Sequence, residues 1–369
     1  MADASGRSCQ QKPFLSNLIY FLQKGCPKWQ PFCYSGRIDF DCPAEPVFVY
    51  AASYVKLIFT GTFVKVKISN RRNYWTNYIG YILDGVQGKF ALDMEQGAKV
   101  YTIAENLKSG RHELLLFKRM DSCHIFTLYG FELEDGAEIF LPEPKPERRM
   151  EVFGDSVSCG EVSEALEYVG KPDPEHDGEY SNSWYSYAWI TARKLGAELH
   201  DTSQGGIALL DHTGWFMEPD YLGVESCYDK LEYCPALSKV KAWDFKKYQP
   251  QVVVVAIGQN DNHPVDYMAE NYQSEKSVYW RKRYQEFIEK LMELYPDSQI
   301  ILTTTILMHD KNWDTSIEEV CRRIDSSRVH HFMYQKNGSG TPGHIRIPEA
   351  EEMAEELSAY INSLGDIWR

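Results

Sequence analysis

The segment Gly154-Asp155-Ser156 places a serine where its hydroxyl could act as a nucleophile. A hydrophobic, strand-like run from Met150 to Phe153 precedes it, and polar residues typical of a helix start follow. A serine at a strand-to-helix turn is raised out of the packed layer, and its own N–H points toward a bound group because it belongs to a helix N-terminus. The pattern predicts that Ser156 is a catalytic nucleophile. An ordinary turn with a capping serine is the simpler alternative.

Acyl transfer from an ester also needs hydrogen-bond donors for the charge that develops on the carbonyl oxygen. Besides the N–H of the serine, a glycine after the second strand can donate a backbone N–H, because a missing Cβ lets substrate approach closely. We choose Gly206 for this role, with Gly205 as the competitor. Asn260, after the third strand, can add a side-chain N–H. Each of these is more often a turn residue, but their positions at successive strand ends strengthen the joint interpretation.

The base that takes the serine proton should be one of the ten histidines. His344 is favoured because it follows a flexible loop, residues 338–343, and comes immediately before an amphipathic helix. A surface or capping role is the alternative. His263 is the main rival, but its closeness to Asn260 would put it beside the oxyanion donor rather than across from the nucleophile.

The candidate residues follow strands in a part of the chain that alternates strands and helices. Residues 251–257 contain four consecutive valines, as expected for a parallel strand covered on both faces. The other predicted elements are a helix at 182–195, strands at 198–202 and 299–305, a long helix that includes 280–294, and a closing helix that includes 350–361. This order predicts a doubly wound α/β domain with a parallel central sheet, whose chemistry lies at the carboxyl ends of the strands.

The first 135 residues instead show short strand-like runs separated by turn signals such as Asp84-Gly85. The eight runs are residues 47–50, 54–60, 62–69, 78–83, 89–92, 99–104, 112–118 and 125–133. They predict an all-β sandwich, a jelly roll, at residues 1–140 with a short N-terminal arm. Alternating prolines predict an extended linker at 141–149, and residues 150–369 form the α/β domain.

Composition and charge argue against several classes of function. A net charge of −14 disfavours nucleic acid as a partner, since its backbone attracts a basic surface. No apolar run approaches the about 20 residues that span a bilayer, and the first residues lack a secretory pattern, so we expect a cytoplasmic protein without membrane association. Nine cysteines without CxxC spacing favour reduced thiols over disulfides or a metal site. The N-terminal arm could pack on a second subunit and so make a homo-oligomer.

The order of the motifs resembles that of the SGNH (GDSL-type) hydrolases: Gly-Asp-Ser, a glycine block, Gly-x-Asn-Asp, and a late histidine before a helix. With the preceding β-sandwich, nearly all of residues 12–365 is similar to carbohydrate esterase family two. The resemblance implies Ser156 as nucleophile and His344 as base. It also implies Gly206 and Asn260 as oxyanion donors, and Asp261 as a carboxylate that holds its loop.

The same resemblance implies an activity, the removal of acetyl groups from xylan-derived or related oligosaccharides through an acyl-enzyme. No metal or organic cofactor would be required. Two alternatives stay open. One is a carbohydrate-binding protein whose α/β domain is catalytically silent, and the other is an SGNH esterase that acts on a different acyl ester.

The chain departs from the SGNH pattern at the support of the histidine. Many of these enzymes carry an Asp two or three residues before the catalytic His, where this chain has Pro342 and Thr341. We therefore expect a Ser–His pair, with the main-chain carbonyl of Pro342 or a neighbour accepting the His344 Nδ1–H bond. Glu349 or another distant acid is the alternative acceptor.

Trp215 and Trp184 flank the predicted cleft in sequence and are candidates for substrate binding, because aromatic faces stack well on sugar rings. Core packing is an equally frequent role for such residues. Trp215 follows the glycine block directly and is the stronger candidate.

Overall fold

Alternating side chains build the N-terminal part of the chain into antiparallel sheets. In the strand Val64–Arg72, Val64, Val66 and Ile68 are buried, while the intervening Lys65 and Lys67 stay partly exposed. The computed structural model describes residues 32–94 and 97–369, together with the backbone of residues 19–20. Apart from those two residues, the predicted N-terminal arm lies outside the described residues.

Twelve strands among the described residues make two sheets in this part. They are β1 (Ile19–Tyr20), β2 (Cys33–Ser35), β3 (Ile38–Asp39), β4 (Val47–Phe48), β5 (Tyr54–Thr60), β6 (Val64–Arg72), β7 (Tyr78–Leu83), β8 (Val86–Ala91), β9 (Ala98–Ala104), β10 (Arg111–Lys118), β11 (His124–Leu133) and β12 (Ile139–Phe140). One sheet has the order β3-β4-β11-β6-β9 with β1 beside β11, and the other has the order β12-β5-β10-β7-β8 with β2 beside β5. Apolar side chains of both sheets, such as Leu57 and Val66, form one core.

All eight predicted strand-like runs overlap observed strands, β4 to β11. The sequence reasoning missed β1, β2, β3 and β12, which have only two or three residues and therefore show no alternation. An all-antiparallel β domain before the α/β domain is confirmed. The jelly-roll topology and the domain limits stay predictions.

The second part of the chain contains a parallel sheet and its helices. Its strands are β13 (Arg148–Gly154), β14 (Ala197–Ser203), the antiparallel pair β15 (Lys230–Glu232) and β16 (Lys241–Ala242), β17 (Val252–Ala256), β18 (Gln299–Thr303) and β19 (Val329–His331). Its α-helices are α1 (Ser156–Cys159), α2 (Tyr187–Leu195), α3 (Val224–Cys227), α4 (Tyr267–Glu270), α5 (Glu275–Leu294), α6 (Lys311–Ile324) and α7 (Ile347–Ser363). The parallel order is β14-β13-β17-β18-β19, so the chain reverses direction across the sheet between β13 and β17, which is where such folds bind ligands.

The valine strand β17 is covered on both faces, as predicted. Val253 and Val255 share a core with side chains of α5 and α6, including Trp280. Val252 and Val254 share a second core with side chains of α2 and α7. Because helices pack on both faces of the sheet, the predicted doubly wound α/β domain is confirmed.

One predicted helix is divided in two. Residues 182–195 form a 3₁₀ turn at Ser183–Tyr185 and then α2, with the extended residue Ser186 between them. The Ser186 hydroxyl accepts the backbone N–H of Trp189 at 3.1 Å and so starts the second helix. The sequence did not predict the helices α3, α4 and α6 or the strands β15, β16 and β19.

A buried ion pair joins the β domain to the parallel sheet. Arg37, between β2 and β3, places Nε and Nη2 at 3.0 and 2.9 Å from Glu151 Oε1 in β13, and both side chains are fully buried. Arg37 Nη1 also donates to the carbonyl of Tyr228 at 2.7 Å, and Thr202 Oγ1 donates to Glu151 at 2.7 Å. The two opposite charges compensate each other inside the protein, where an unpaired charge would lower the free energy of unfolding.

Arg37→Met should lower the free energy of unfolding by about 3–5 kcal/mol, because it leaves Glu151 buried without its counter-ion. Urea denaturation measures this change. Lys194→Met is the matched control, since Lys194 pairs with Glu355 on the surface and exposed pairs contribute little. Equal losses in the two variants would contradict the role given to Arg37.

Candidate active site

Ser156 lies at the predicted strand-to-helix turn. It is the first residue of α1, separated from the end of β13 only by Asp155, and its side chain lies at the carboxyl edge of the parallel sheet. Asp155 caps the short helix by accepting the N–H of Val157 at 3.0 Å. The serine is thereby held in a fixed backbone position beside the topological switch point.

His344 lies against this serine. Its Nε2 is 2.7 Å from Ser156 Oγ, although the two residues are 188 positions apart. His344 comes just before α7, as predicted. With the ring proton on Nδ1, Nε2 is the acceptor that a serine hydroxyl needs.

The other ring nitrogen of His344 faces a carboxylate, and this corrects one expectation. Asp173 Oδ2 lies 2.5 Å from Nδ1, and Asp173 Oδ1 accepts the backbone N–H of His344 at 3.0 Å. Arg346 Nη2 donates to the same Oδ1 at 2.8 Å. The prediction that the carbonyl of Pro342 holds Nδ1 is wrong, because an ionised carboxylate occupies that place and forms the chain Ser156–His344–Asp173. Partial burial alone would raise the pKa of Asp173, but the hydrogen bonds from His344 and Arg346 hold it well below its usual range.

The loop that carries Asp173 is fixed by neighbouring groups. Glu349 accepts the N–H of Gly170 at 3.1 Å through Oε1 and the N–H of Arg346 at 2.8 Å through Oε2. Glu349, the distant acid considered as a partner of the histidine, holds this loop instead. A Cβ at Gly343 would lie 2.7 Å from Asp173 Oδ1, so only glycine permits the close approach.

The structure distinguishes the two glycines after β14. The N–H of Gly205 donates to Asp121 Oδ2 at 3.1 Å and is therefore engaged. Gly206 has φ of 72°, and a Cβ there would lie 2.8 Å from Trp215 Cβ, so a side chain does not fit. Within the described part of the chain, the Gly206 N–H has no hydrogen-bond acceptor. Gly206, our choice from the sequence, is thus the glycine whose amide remains available to a ligand.

Asn260 is held at the end of β17 by a carboxylate. It lies in the 3₁₀ turn Gln259–Asn262, and its Nδ2 donates to Asp155 Oδ2 at 3.0 Å. An amide nitrogen carries two hydrogens, so Asn260 keeps a second one for another acceptor. The next residue, Asp261, is buried and accepts the N–H of Leu209 at 2.9 Å, which is the loop-holding contact expected for it.

These side chains meet in one cavity of about 590 Å³. The predicted residues in its lining are Ser156, Gly205, Gly206, Trp215, Asn260 and His344. The sequence reasoning missed other parts of the wall, namely Asp173, Glu161, and Tyr74 and Trp75 from the β domain. The cavity therefore belongs to both domains.

The two predicted tryptophans lie in different places. Trp215 is 55% exposed, lines the cavity, and stacks on the ring of His263 with centroids 3.4 Å apart. Trp184 packs against Trp189, and the guanidinium of Arg193 lies 3.9 Å over its ring. The structure therefore places Trp184 in a hydrophobic core beside α2 rather than at the cavity, so substrate binding by Trp184 is not supported. His263, the rival base, supports Trp215.

A second carboxylate lies near the histidine. Glu161 Oε1 is 3.8 Å from His344 Nε2. Burial lowers the pKa of His344, but the negative charge of Glu161 and the hydrogen bond to Asp173 outweigh it and raise the pKa to about 9. Burial raises the pKa of Glu161 to about 7, against the attraction of His344.

Across the described ranges, no group of three or more His, Cys, Asp or Glu side chains is arranged to hold a metal ion. The polar groups around Ser156 are an imidazole, carboxylates and amides. None of the helices that the structure describes has the length and apolar character needed to cross a membrane.

Comparisons with known proteins agree with this arrangement. Residues 34–144 match the family model "Carbohydrate esterase 2 N-terminal". The chain is 31% identical to the cellulase/esterase CelE of Acetivibrio thermocellus over 90% of its own length, but it spans only 39% of that protein. It is 26% identical to an acetylxylan esterase / glucomannan deacetylase of Cellvibrio japonicus over 90% of this chain and 88% of the relative. A solved family two carbohydrate esterase from Clostridium thermocellum, in complex with cellohexaose, superposes with a TM-score of 0.75 at 27% identity, over 92% of this chain and all of that one.

The parallel sheet, the serine at its first strand end and the late histidine define the SGNH hydrolase fold class. Within that class, the chain is a homologue of the family two carbohydrate esterases, and the resemblance predicted from the motifs is confirmed.

Asp173→Asn should lower kcat for ester hydrolysis on the order of 10²–10⁴-fold, because an amide neither fixes the Nδ1–H tautomer nor stabilises an imidazolium as a carboxylate does. Steady-state kinetics with a chromogenic ester measures the loss. Glu175→Gln removes a charge two residues away in the same loop and should retain its rate. A loss below about threefold in Asp173→Asn would show that the carboxylate is dispensable.

The pH dependence of kcat/KM should report the raised pKa of His344. A base must be neutral to accept a proton, so activity appears as pH rises through this pKa, expected at about 9 rather than near the ordinary value. Glu161→Gln should move the rise in kcat/KM to lower pH, because the substitution removes a negative charge that favours the imidazolium. If kcat/KM of the wild type rises with a midpoint at or below the ordinary pKa of histidine, this electrostatic description is contradicted.

Proposed function

We propose that the protein is a carbohydrate O-acetyl esterase that works through an acetyl-enzyme on Ser156. The observation that carries this proposal is the hydrogen-bond chain from Ser156 through His344 to Asp173, at distances of 2.7 and 2.5 Å, on the wall of a large cavity. A nucleophile, a base and a group that orients the base are the minimum set for acyl transfer.

In the proposed reaction, Ser156 Oγ attacks the acetyl carbonyl carbon while Nε2 of His344 takes its proton. The imidazolium then gives that proton to the sugar oxygen as the ester bond breaks. Water repeats the sequence on the acetyl-serine, with His344 again as the base, and releases acetate. Asp173 keeps the ring proton on Nδ1 and stabilises the imidazolium in both steps.

The oxyanion of each tetrahedral intermediate would be bound by three N–H groups. They are the backbone amides of Ser156 and Gly206 and the second hydrogen of Asn260 Nδ2. The supporting observations are that Gly205 is engaged by Asp121 and that Asn260 is oriented by Asp155. Donors fixed before the reaction stabilise the developing charge without reorganisation.

Acetylated oligosaccharides of the xylan type are the proposed substrates. Tyr74, Trp75 and Trp215 line the cavity, and aromatic faces of this kind stack on sugar rings. The Cellvibrio japonicus relative acts on acetylxylan and glucomannan by its name, and the solved relative holds cellohexaose. The cavity volume of about 590 Å³ lies in the range of sites that bind small molecules.

Intact geometry favours catalysis over the silent binding protein considered above. A protein that only bound carbohydrate would have no need of the Ser156–His344 contact or of the carboxylate on Nδ1. An esterase for another acyl group would share this geometry, and activity assays with chromogenic acetate, butyrate and acetylated xylo-oligosaccharides separate the two.

Ser156→Ala should lower the hydrolysis of p-nitrophenyl acetate on the order of 10⁴-fold or more, because the acetyl-enzyme can no longer form. Ser158→Ala is the matched control: it makes the same substitution in α1, at a hydroxyl that bonds Tyr187 rather than the histidine. Release of p-nitrophenol by Ser156→Ala at the wild-type rate would reject the esterase function at this site.

A further inference from the structure

The proposed reaction gives no role to the cavity carboxylate that lies beside the nucleophile. Glu161 follows the residue that caps α1, Gly160, and its backbone N–H donates to the carbonyl of Ser156 at 3.0 Å. Its side chain is 15% exposed and lines the cavity beside the nucleophile. The carboxylate is thereby held near the reacting atoms by a short, rigid connection.

Glu161 and His344 are placed so that a single oxygen atom of a reactant can form hydrogen bonds with both side chains. Oε1 and Nε2 are 3.8 Å apart. An oxygen at about 2.8 Å from each of them makes two hydrogen bonds of ordinary length. In the acetyl-enzyme, Nε2 no longer receives the serine proton, so its partner is the oxygen that attacks the ester. Glu161 therefore faces the same attacking oxygen as the base.

Water and an alcohol differ in what they can offer to these two groups. An ionised carboxylate only accepts hydrogen bonds. Water gives one hydrogen to Nε2 and the other to Glu161 Oε1. An alcohol has a single hydroxyl hydrogen, which Nε2 must take, so a lone pair or an alkyl group is left against the carboxylate. The pair of acceptors thus stabilises water at the attack position and disfavours an alcohol.

We propose that Glu161 is a specificity-determining residue that directs the acetyl-enzyme toward water and away from transfer to alcohols. This inference depends on the esterase function proposed above. With water, the new C–O bond forms first and gives the tetrahedral intermediate, while the first proton passes to Nε2. That proton moves on to Ser156 Oγ as the C–Oγ bond breaks, and the second hydrogen leaves on the acetic acid. With an alcohol, the only proton passes through Nε2 to Ser156 Oγ, and an acetate ester leaves.

The test is the partition of the acetyl group between water and methanol. Wild type, Glu161→Leu and Glu161→Gln are given p-nitrophenyl acetate in the presence of methanol at pH 9, where a carboxyl group with a pKa of about 7 is ionised. Methyl acetate and acetate are then quantified. Attack by water and attack by methanol both use His344 as the base. A change in the protonation of His344 therefore affects both rates equally and cancels in the ratio of methyl acetate to acetate. Glu218→Gln is the control, since it removes an exposed carboxylate that lines the same cavity and bonds Tyr221.

Glu161→Leu should raise the ratio of methyl acetate to acetate on the order of tenfold, because a charged hydrogen bond to water is lost. Glu161→Gln should give a smaller rise, since its amide oxygen still accepts a hydrogen bond, and Glu218→Gln should match the wild type. A ratio within about twofold of the wild type in both Glu161 variants would overturn the inference while leaving the esterase function intact. Equal p-nitrophenol release by wild type and Ser156→Ala would instead reject the esterase function itself.

Discussion

A single carboxylate from the β domain organises the edge of the catalytic sheet. Asp121, in the turn between β10 and β11, is buried and accepts hydrogen bonds from both domains. Its donors are Tyr74 Oη at 2.7 Å, the N–H of Cys123 at 3.0 Å, His124 Nδ1 at 2.8 Å, Gln204 Nε2 at 2.6 Å and the N–H of Gly205 at 3.1 Å. Burial alone would raise the pKa of Asp121, but the hydrogen bond and charge of His124 and the charge of Lys118 lower it to about 2, so the group stays ionised and can hold every donor.

The contacts of Asp121 determine which amides face the cavity. Since Gly205 is used to attach the loop after β14, the adjacent Gly206 is presented to a ligand, with its positive φ accommodated by glycine. Tyr74, which donates to the same carboxylate, and Trp75 form the wall that the β domain contributes. The β domain is therefore a structural part of the site, and the buried Arg37–Glu151 pair fixes it against the sheet.

Most of the scaffold could be predicted because it depends on local pattern. The valines of β17 and the alternating residues of β6 follow the periodicity that burial imposes on strands. Ser156, Gly206 and Asn260 follow from the rule that the chemistry of such folds lies at strand ends, and His344 follows from its loop before the closing helix. Short strands such as β2 carry too few residues to show a period. The tryptophans show another limit, since sequence does not reveal that Trp215 is exposed and Trp184 packed.

Asp173 could not be found in this way because a loop brings it to His344 over a long stretch of sequence. Glu161 lies close to Ser156 in sequence, but no motif or periodic pattern marks it. Asp173 stands between Pro172 and Pro174, 171 positions before the histidine that it holds, and no periodic pattern or motif marks it. SGNH enzymes often carry the acid just before the histidine, where this chain has Thr341 and Pro342. The nearest signal in the sequence was Gly343, whose missing Cβ makes room for Asp173 Oδ1.

The most direct test of this account is a crystal structure of the wild-type protein with Ser156 covalently phosphonylated. The phosphonyl oxygen stands in for the oxyanion of the tetrahedral intermediate. The account predicts that this oxygen lies within about 3.1 Å of the amide nitrogens of Ser156 and Gly206 and of Asn260 Nδ2, with Gly205 still bound to Asp121. An oxygen bound by the Gly205 amide, or directed away from all three donors, would contradict it.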